Sequence, residues 1–235
     1  ISDIPSSFFL LPSSLIVVHL AARAGVRPSL KEPLLYEKIN VAGTLNILEI
    51  AKELEVNNFI FGSSSSVYGN DTPVPYKEDA PCDQPISPYA ATKRSAELLC
   101  QTYNHLYKIP MTILRFFTVY GPRNRPDMAA YKFIHSIANH KAITTYGENT
   151  SRDYTYVEDI IDGIISAINH PFNKLEIINL GNSSPVSLKE FISTIEKVIG
   201  NSAIVSHEPL PQGDVQTTYA DVSKAKRLLN WTPQT

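Results

Sequence analysis

Two short apolar runs with a helical stretch between them leave this chain few folds to choose from. Leu15-Ile16-Val17-Val18-His19-Leu20 and Asn58-Phe59-Ile60-Phe61 carry apolar side chains at consecutive positions, and between them Val41, Leu45, Leu48 and Ala51 recur at helical spacing. Strands that are apolar on both faces belong in a parallel sheet covered by helices on each side. Strand, helix, strand and then a loop at the carboxyl end is the grammar of a βαβ unit.

The rest of the chain continues the pattern. A Gly/Arg/Pro turn region is expected at 23 to 33 and a helix over 39 to 55; Gly62 and a serine run then break the second strand, and a Pro-rich loop follows from Gly69 to Pro88. Ser87 is placed to cap a helix that has Pro88 in its first turn, runs to about Tyr107 and stops before Pro110. A strand is expected over Met111 to Val119, a helix over 127 to 140, a helix from about Glu158 to Asn169 after Tyr154-Thr155-Tyr156-Val157, and a core strand over Leu175 to Leu180. Ser187-Leu188-Lys189-Glu190 reads as a capping box opening a helix to Ile199, while a strand near 203 to 207 and a helix near 222 to 229 read as peripheral.

The expected fold is therefore α/β, a doubly wound parallel sheet of Rossmann-like type with a smaller mixed α/β lobe. Residues 1–122 form the main domain and 123–235 the lobe, with about 157–182 returning to the main sheet.

Composition narrows the function. The net charge of -2 offers no basic field for a polyphosphate backbone, which argues against a nucleic-acid partner. The run from Leu15 to Ala22 is far shorter than the roughly 20 residues needed to cross a bilayer, and no basic segment precedes Phe8-Phe9-Leu10-Leu11, so neither a membrane span nor a signal peptide is expected. Cys82 and Cys100 form no metal-ligand or disulfide spacing, which fits a reducing, cytoplasmic setting. The opening at Ile1 and the close after Trp231 read as cut ends.

Chemistry concentrates in the helix after the Pro-rich loop. Tyr89 and Lys93, four residues apart, project from one helix face. A phenol ordinarily titrates near pH ~10, and a neighbouring ammonium is expected to favour the phenolate and bring it toward general-base strength. Alone, such a pair is more often a packed ring beside a snorkelling amine. Here a serine run, Gly62-Ser63-Ser64-Ser65-Ser66-Val67-Tyr68-Gly69, stands at the carboxyl end of a buried strand, where open α/β sheets meet ligands.

With these residues the chain resembles the extended short-chain dehydrogenase/reductase family. The resemblance rests on His19-Leu20-Ala21-Ala22, on Asn40-x-x-Gly43-Thr44-x-Asn46-x-Leu48-Glu49, on the serine run and on Ser87-x-Tyr89-x-x-x-Lys93. It extends through Leu114-Arg115-Phe116-Phe117-Thr118-Val119-Tyr120-Gly121-Pro122, Arg152-Asp153-Tyr154-Thr155-Tyr156-Val157-x-Asp159 and Gly213-Asp214, and so covers about residues 15 to 232.

What the resemblance implies is specific. NAD is the cofactor, with Ala21, Ala22, Asn40, Ser63, Tyr89 and Lys93 on its side of the site. Tyr89 is the acid/base, Lys93 binds the nicotinamide ribose and tunes Tyr89, and Ser64 hydrogen-bonds the reacting sugar hydroxyl. Related nucleotide-sugar dehydratases carry Asp-Glu where Ser65 and Ser66 stand, so elimination of water lacks its catalyst. The stretch Arg115 to Met128 resembles most the UDP-glucuronate 4-epimerases, with Thr118 where neutral-sugar epimerases usually have Asn. A sugar carboxylate wants an arginine fork and hydroxyl donors, and Arg125 with Thr118, Ser65 and Ser66 can supply both. Arg152 is expected at the diphosphate of the UDP-sugar and Asp214 at the uridine ribose, and a homodimer through helices 40–55 and 89–107 is implied.

Full members of that family open with a strand, a Gly-x-x-Gly-x-x-Gly turn against the pyrophosphate, and an acid for the adenosine ribose. Residues 1–14 show no such turn, so the fold is expected to lack its N-terminal strands. The readings in competition with an acid-sugar 4-epimerase are a UDP-glucose/galactose 4-epimerase, a sugar dehydratase, and a truncated, non-catalytic remnant.

Overall fold

The structure, a computed structural model, describes residues 15–235. The expectations for residues 1–14, including the Phe8 to Leu11 run, lie outside that range.

Among the described residues the main sheet has four parallel strands in the order β1 (Ile16–His19), β2 (Asn58–Ser64), β3 (Met111–Phe116), β7 (Glu176–Leu180). Alternation along each strand divides its side chains between two cores. Phe59, Phe61, Met111 and Ile113 pack against α3 (Gly43–Glu53) and α4 (Pro88–Tyr107), where Leu48, Ala51, Ala96, Cys100 and Tyr103 meet them. Ile60, Leu114, Ile178 and Leu180 pack on the other face against Ile160 and Ile164 of α6 (Val157–Asn169). Each large apolar side chain so buried contributes about 1.5–3 kcal/mol, and helices on both faces make the sheet doubly wound, as expected.

Several expectations from the pattern are corrected. The second strand does not stop at Phe61: it continues through Gly62 to Ser64, every residue buried, because β3 pairs its backbone as far as Ser64 after β1 has ended opposite Phe61. The 23 to 33 region is not a plain turn but contains the short helices α1 (Val26–Lys31) and α2 (Pro33–Tyr36), which lead through a π-helical stretch, Glu37–Ala42, into α3. The strand expected over 111 to 119 divides at Phe117, whose N–H donates to the carbonyl of Leu180; beyond it β4 (Thr118–Tyr120) belongs to a second sheet. The helix near 222 to 229, α8 (Ser223–Leu229), is not peripheral. Its Ala225 and Leu229, with Trp231, are buried against α6, and the Trp231 indole donates to the carbonyl of Asp159 at 2.9 Å.

The helix starts follow the capping rules. Ser87 accepts from the N–H of Ala90, and Pro88 occupies the first turn of α4. Ser187 caps α7 (Leu188–Ile199) by accepting from the N–H of Glu190 at 3.2 Å; the return bond of the expected capping box is not among the contacts of Glu190.

The lobe contains three strands that periodicity did not single out: β5 (Ile143–Tyr146), β6 (Ser151–Tyr156) and β8 (Pro185–Ser187). β4, β6 and β8 form one sheet, and β5 pairs in parallel with β9 (Val205–Glu208). The helix α5 (Ala129–Ala138) packs with α7 through Phe133, Ile137 and Ile195. Asp153 on β6, fully buried, ties that strand to the segment after β7 and to the segment before α8: it accepts from the N–H groups of Asn182 at 2.6 Å, Ser183 at 3.0 Å and Ala220 at 2.9 Å.

Two glycines allow close approach. Gly69 sits at φ +67 after the serine turn, and a Cβ there would lie 2.5 Å from the carbonyl oxygen of Gln84. Gly163 lets α6 settle onto β7, since a Cβ would lie 2.6 Å from Leu180 Cδ1.

Candidate active site

Strand β2 ends in the serine run, and α4 lies beside it. From the second turn of α4, the buried Lys93 ammonium donates to the carbonyl oxygen of Gly62 at 2.7 Å and lies 4.9 Å from the Phe61 ring centre. One turn earlier Tyr89 is half-buried, its ring edge-on to Tyr36 at 6.2 Å. Ser64 lies close enough to the Tyr89 side chain to work against a rise in the phenol's pKa. Its hydroxyl also donates to the Ser66 hydroxyl and accepts from the Ser66 N–H, each at 3.2 Å, which closes the single helical turn Ser65–Tyr68. Ser65 is buried and Ser66 half-buried in that turn.

The electrostatics differ from the expectation that the amine makes the phenol acidic. Burial pushes the Tyr89 phenol above its ordinary value, and the opposing influences are Ser64 and the positive charge of Arg125, not Lys93. Lys93 is itself brought down to about 8 by burial, against which Glu97 and Cys100 pull upward. The reason is geometric: the ammonium is turned into the end of β2, toward Gly62, rather than along the helix toward the phenol.

The other expected cofactor-side residues fall into two groups. Ala21 is exposed and Ala22 half-buried just past the carboxyl end of β1, where small side chains leave the backbone open. Ser63 and Asn40 are instead committed to the scaffold. The Ser63 hydroxyl donates to Glu97 at 2.6 Å, and the Asn40 amide accepts from the N–H of Arg23 while donating to the Arg23 carbonyl and the Thr92 hydroxyl. Only the architectural half of the role expected for Asn40 is visible in these contacts.

The substrate-side residues Thr118, Arg125, Arg152 and Asp214 come together around one cavity of about 650 Å³, a volume that suits a small-molecule ligand. The Arg125 guanidinium grips the Asp127 carboxylate fork to fork, Nε to Oδ1 at 3.0 Å and Nη2 to Oδ2. Arg152 donates to the carbonyls of Ser151 and Gln216; burial lowers its pKa and the charge of Asp214 raises it. Ser65 and Ser66 do not line this cavity; they belong to the Ser64–Tyr89 group, which Arg125 reaches through its charge.

Sequence reasoning missed Arg27, which pairs with Asp214 at 2.9 Å and stacks 3.9 Å over the Tyr146 ring at the same cavity. It also missed Asp127 and Tyr36. Arg27 and Asp214 are 187 residues apart, so no local spacing announced them; an Arg two residues before an Asp was visible, but such pairs are common on surfaces.

A doubly wound parallel sheet that presents a serine, a tyrosine and a buried lysine at its strand ends, beside a cavity rich in arginine, defines a dinucleotide-type α/β enzyme for an anionic substrate. The model of the NAD dependent epimerase/dehydratase family matches residues 10–181. The chain belongs to that family, and with it to the NAD-dependent enzymes. A UDP-glucuronate 4-epimerase of Thermodesulfobacterium geofontis is 47% identical over 93% of this chain and 67% of its own length. The solved UDP-glucuronic acid 4-epimerase of Bacillus cereus, in complex with UDP-glucuronic acid and NAD, superposes with a TM-score of 0.89 at 40% identity, over 94% of this chain and 70% of that one. The UDP-glucose 4-epimerase of Thermotoga maritima, with UDP-glucose, gives a TM-score of 0.90 at 30% identity, over 97% and 75%.

Proposed function

We propose that this chain inverts the configuration at C4 of UDP-glucuronate. One observation carries the choice of an acid sugar: in the cavity, Arg125 already grips a carboxylate, that of Asp127, while its charge acts on Tyr89. The names of the relatives at 47% and 40% identity support the same substrate.

The residues present fit the nicotinamide-ribose end of NAD. Lys93 spends one of its three N–H donors on Gly62, Tyr89 offers its hydroxyl, and Ala21 and Ala22 leave backbone open at the end of β1. When bound, NAD supplies the acceptor that takes the C4 hydride and gives it back.

The chain's own residues do the rest. Tyr89 takes the proton of the C4 hydroxyl and later returns it, while Ser64 holds that hydroxyl in line. Lys93 places its ammonium at the end of β2, where its remaining donors can hold the nicotinamide ribose. The 4-keto sugar is a β-keto acid, which loses carbon dioxide when its C–C bond aligns with the carbonyl. Arg125, with Thr118 beside it in the cavity, restrains the carboxylate against that alignment, exchanging Asp127 for the substrate, while Ser65 and Ser66 offer hydroxyls only from the neighbouring serine turn. Arg152 takes the diphosphate, and Asp214 the uridine ribose. No carboxylate replaces Ser65 or Ser66 to pull a carbon-bound proton, which disfavours dehydration.

In this reading residues 123–235 are the sugar-binding half and 1–122 the cofactor half, with 157–182 returning to the main sheet. Two copies pair through α3 and α4, which leave Leu45, Leu98, Leu106 and Tyr107 exposed. No helix among the described residues is long and apolar enough to cross a membrane. The two free, buried cysteines suit a reducing compartment, the cytoplasm.

The test is incubation with NAD and either UDP-glucuronate or UDP-glucose, with the epimers resolved by proton NMR. UDP-galacturonate is the expected product. Turnover of UDP-glucose alone would overturn the acid-sugar reading in favour of the neutral-sugar epimerase that the Thermotoga likeness supports.

A further inference from the structure

Behind the serine run and Lys93 lies a charged cluster that the mechanism above does not use. Glu97, on α4 one turn beyond Lys93, has no exposed surface. Its carboxylate accepts four side-chain bonds: from Ser63 Oγ at 2.6 Å, from Arg115 Nε and Nη2 at 2.9 Å each, and from Arg94 Nη1 at 2.9 Å. Arg115 is on β3 and 1% exposed, so the cluster joins β2, β3 and α4 in the interior.

The position of this cluster matters more than its strength. Ser63 stands between Gly62, whose carbonyl holds Lys93, and Ser64, which faces Tyr89. A pull on Ser63 is therefore transmitted to both neighbours through one peptide unit each. A buried ion pair of this kind is weak evidence for stability, because desolvation offsets much of its Coulomb gain. Its retention directly under a reactive pair asks for another reason.

We propose that Glu97 is a positioning residue for the reaction: it anchors the end of β2 through Ser63 and keeps Lys93 charged inside the fold. The inference rests on the reading of Tyr89 and Lys93 as the reactive pair. Burial strips Lys93 of water and favours its neutral form, and the facing groups divide by sign. His19 on β1 is held neutral by burial, its Nε2 3.0 Å from the Thr44 hydroxyl. Cys100 on α4 is held protonated by burial, and Cys82, in the loop before α4, also titrates above its ordinary value because of burial. Arg94 and Arg115 are positive and are both engaged by Glu97. Burial pushes the Glu97 carboxyl up, but the bonds and charge of Arg115, with the bonds from Ser63 and Arg94, together outweigh it and hold the group below its ordinary value. Glu97 is thus the one carboxylate among the groups named here that opposes neutralisation of Lys93.

The experiment follows Lys93 directly, by ¹³C NMR titration of the full chain labelled at lysine Cε, with Lys93→Arg to assign the signal. Removing a facing charge at this range is expected to lower the Lys93 midpoint by about one pH unit in Glu97→Gln and to leave it near the wild-type value in Glu97→Asp. The alkaline limb of the pH–kcat profile with UDP-glucuronate moves down in parallel. An unmoved midpoint in folded Glu97→Gln overturns the proposal and leaves Glu97 as scaffold. If Glu97→Gln does not fold, Ser63→Ala decides. A roughly tenfold fall in kcat with KM little changed, as expected for lost alignment, supports the anchor, and unchanged kcat overturns it. Tyr89→Phe turning over at the wild-type rate would instead remove the catalytic reading, whatever the Lys93 titration shows.

Discussion

The ammonium of Lys93 and the carbonyl oxygen of Gly62 meet at 2.7 Å, so the helix that carries Tyr89 is fastened to the strand that carries Ser64. Tyr89 then has its ring edge-on to Tyr36, with Ser64 near its side chain. Replacing Tyr89 by Phe keeps the ring and removes the hydroxyl proposed to carry the proton. Turnover of UDP-glucuronate is expected to fall by about 10²–10⁴, the usual worth of a positioned acid/base, with UDP affinity by calorimetry unchanged.

Asp127 occupies the Arg125 fork, so under the proposed reading a substrate carboxylate would compete with a neighbour already in place. Asp127→Asn frees the guanidinium and is expected to lower KM for UDP-glucuronate several-fold, with KM for UDP-glucose unchanged. Arg125→Leu removes a charge-assisted bond of about 1.5–3 kcal/mol, so KM for the acid sugar rises about tenfold or more and carbon dioxide release becomes measurable. A higher KM in Asp127→Asn would mean that Asp127 serves only to hold Arg125.

His19 gives the fold an acid sensitivity. Burial and then the Lys93 charge lower its pKa from 6.5 to about 4. The unfolded chain binds the proton below about 6.5 while the native state refuses it, so stability is fully present above that pH and is lost as pH falls toward 4. Urea midpoints from pH 7 to 4 are expected to fall less steeply in His19→Gln than in the wild type; parallel curves would discharge His19 from this role.

Asp153 makes a further prediction, independent of any reaction. Its three backbone bonds leave the buried N–H of Ala220 and the half-buried N–H groups of Asn182 and Ser183 stranded if the carboxylate is removed. Asp153→Ala is expected to cost about 3 kcal/mol or more in urea unfolding, and a loss under about 1 kcal/mol would show that water satisfies those groups.

The main sheet and its helices were legible because their signals are local. The cap at Ser87, Pro88 behind it and the apolar spacing through α4 all act within a turn or two of the chain. The lobe was less legible. β6 reads Ser-Arg-Asp-Tyr-Thr-Tyr, with no apolar alternation, and is a strand because β4 and β8 pair with it. The helix α8 looked peripheral because nothing near it in sequence reveals that α6 waits to receive it. The site divides in the same way: Tyr89, Lys93 and the serine run were visible as a motif, whereas Arg27, Asp127 and Glu97 acquired meaning only through partners brought to them.

The order of apolar runs, the caps and the motif residues were enough to determine an α/β chain with a tyrosine and a lysine on one helix face near a serine run. Tertiary structure decided which way each group points. It turned Lys93 toward Gly62, committed Ser63 to Glu97, set Asp214 against Arg27, and raised the phenol that the motif suggested would be acidic. The physical reason is range: periodicity and capping are settled by neighbours a few residues apart, but burial and charge depend on side chains that only the folded sheet brings together.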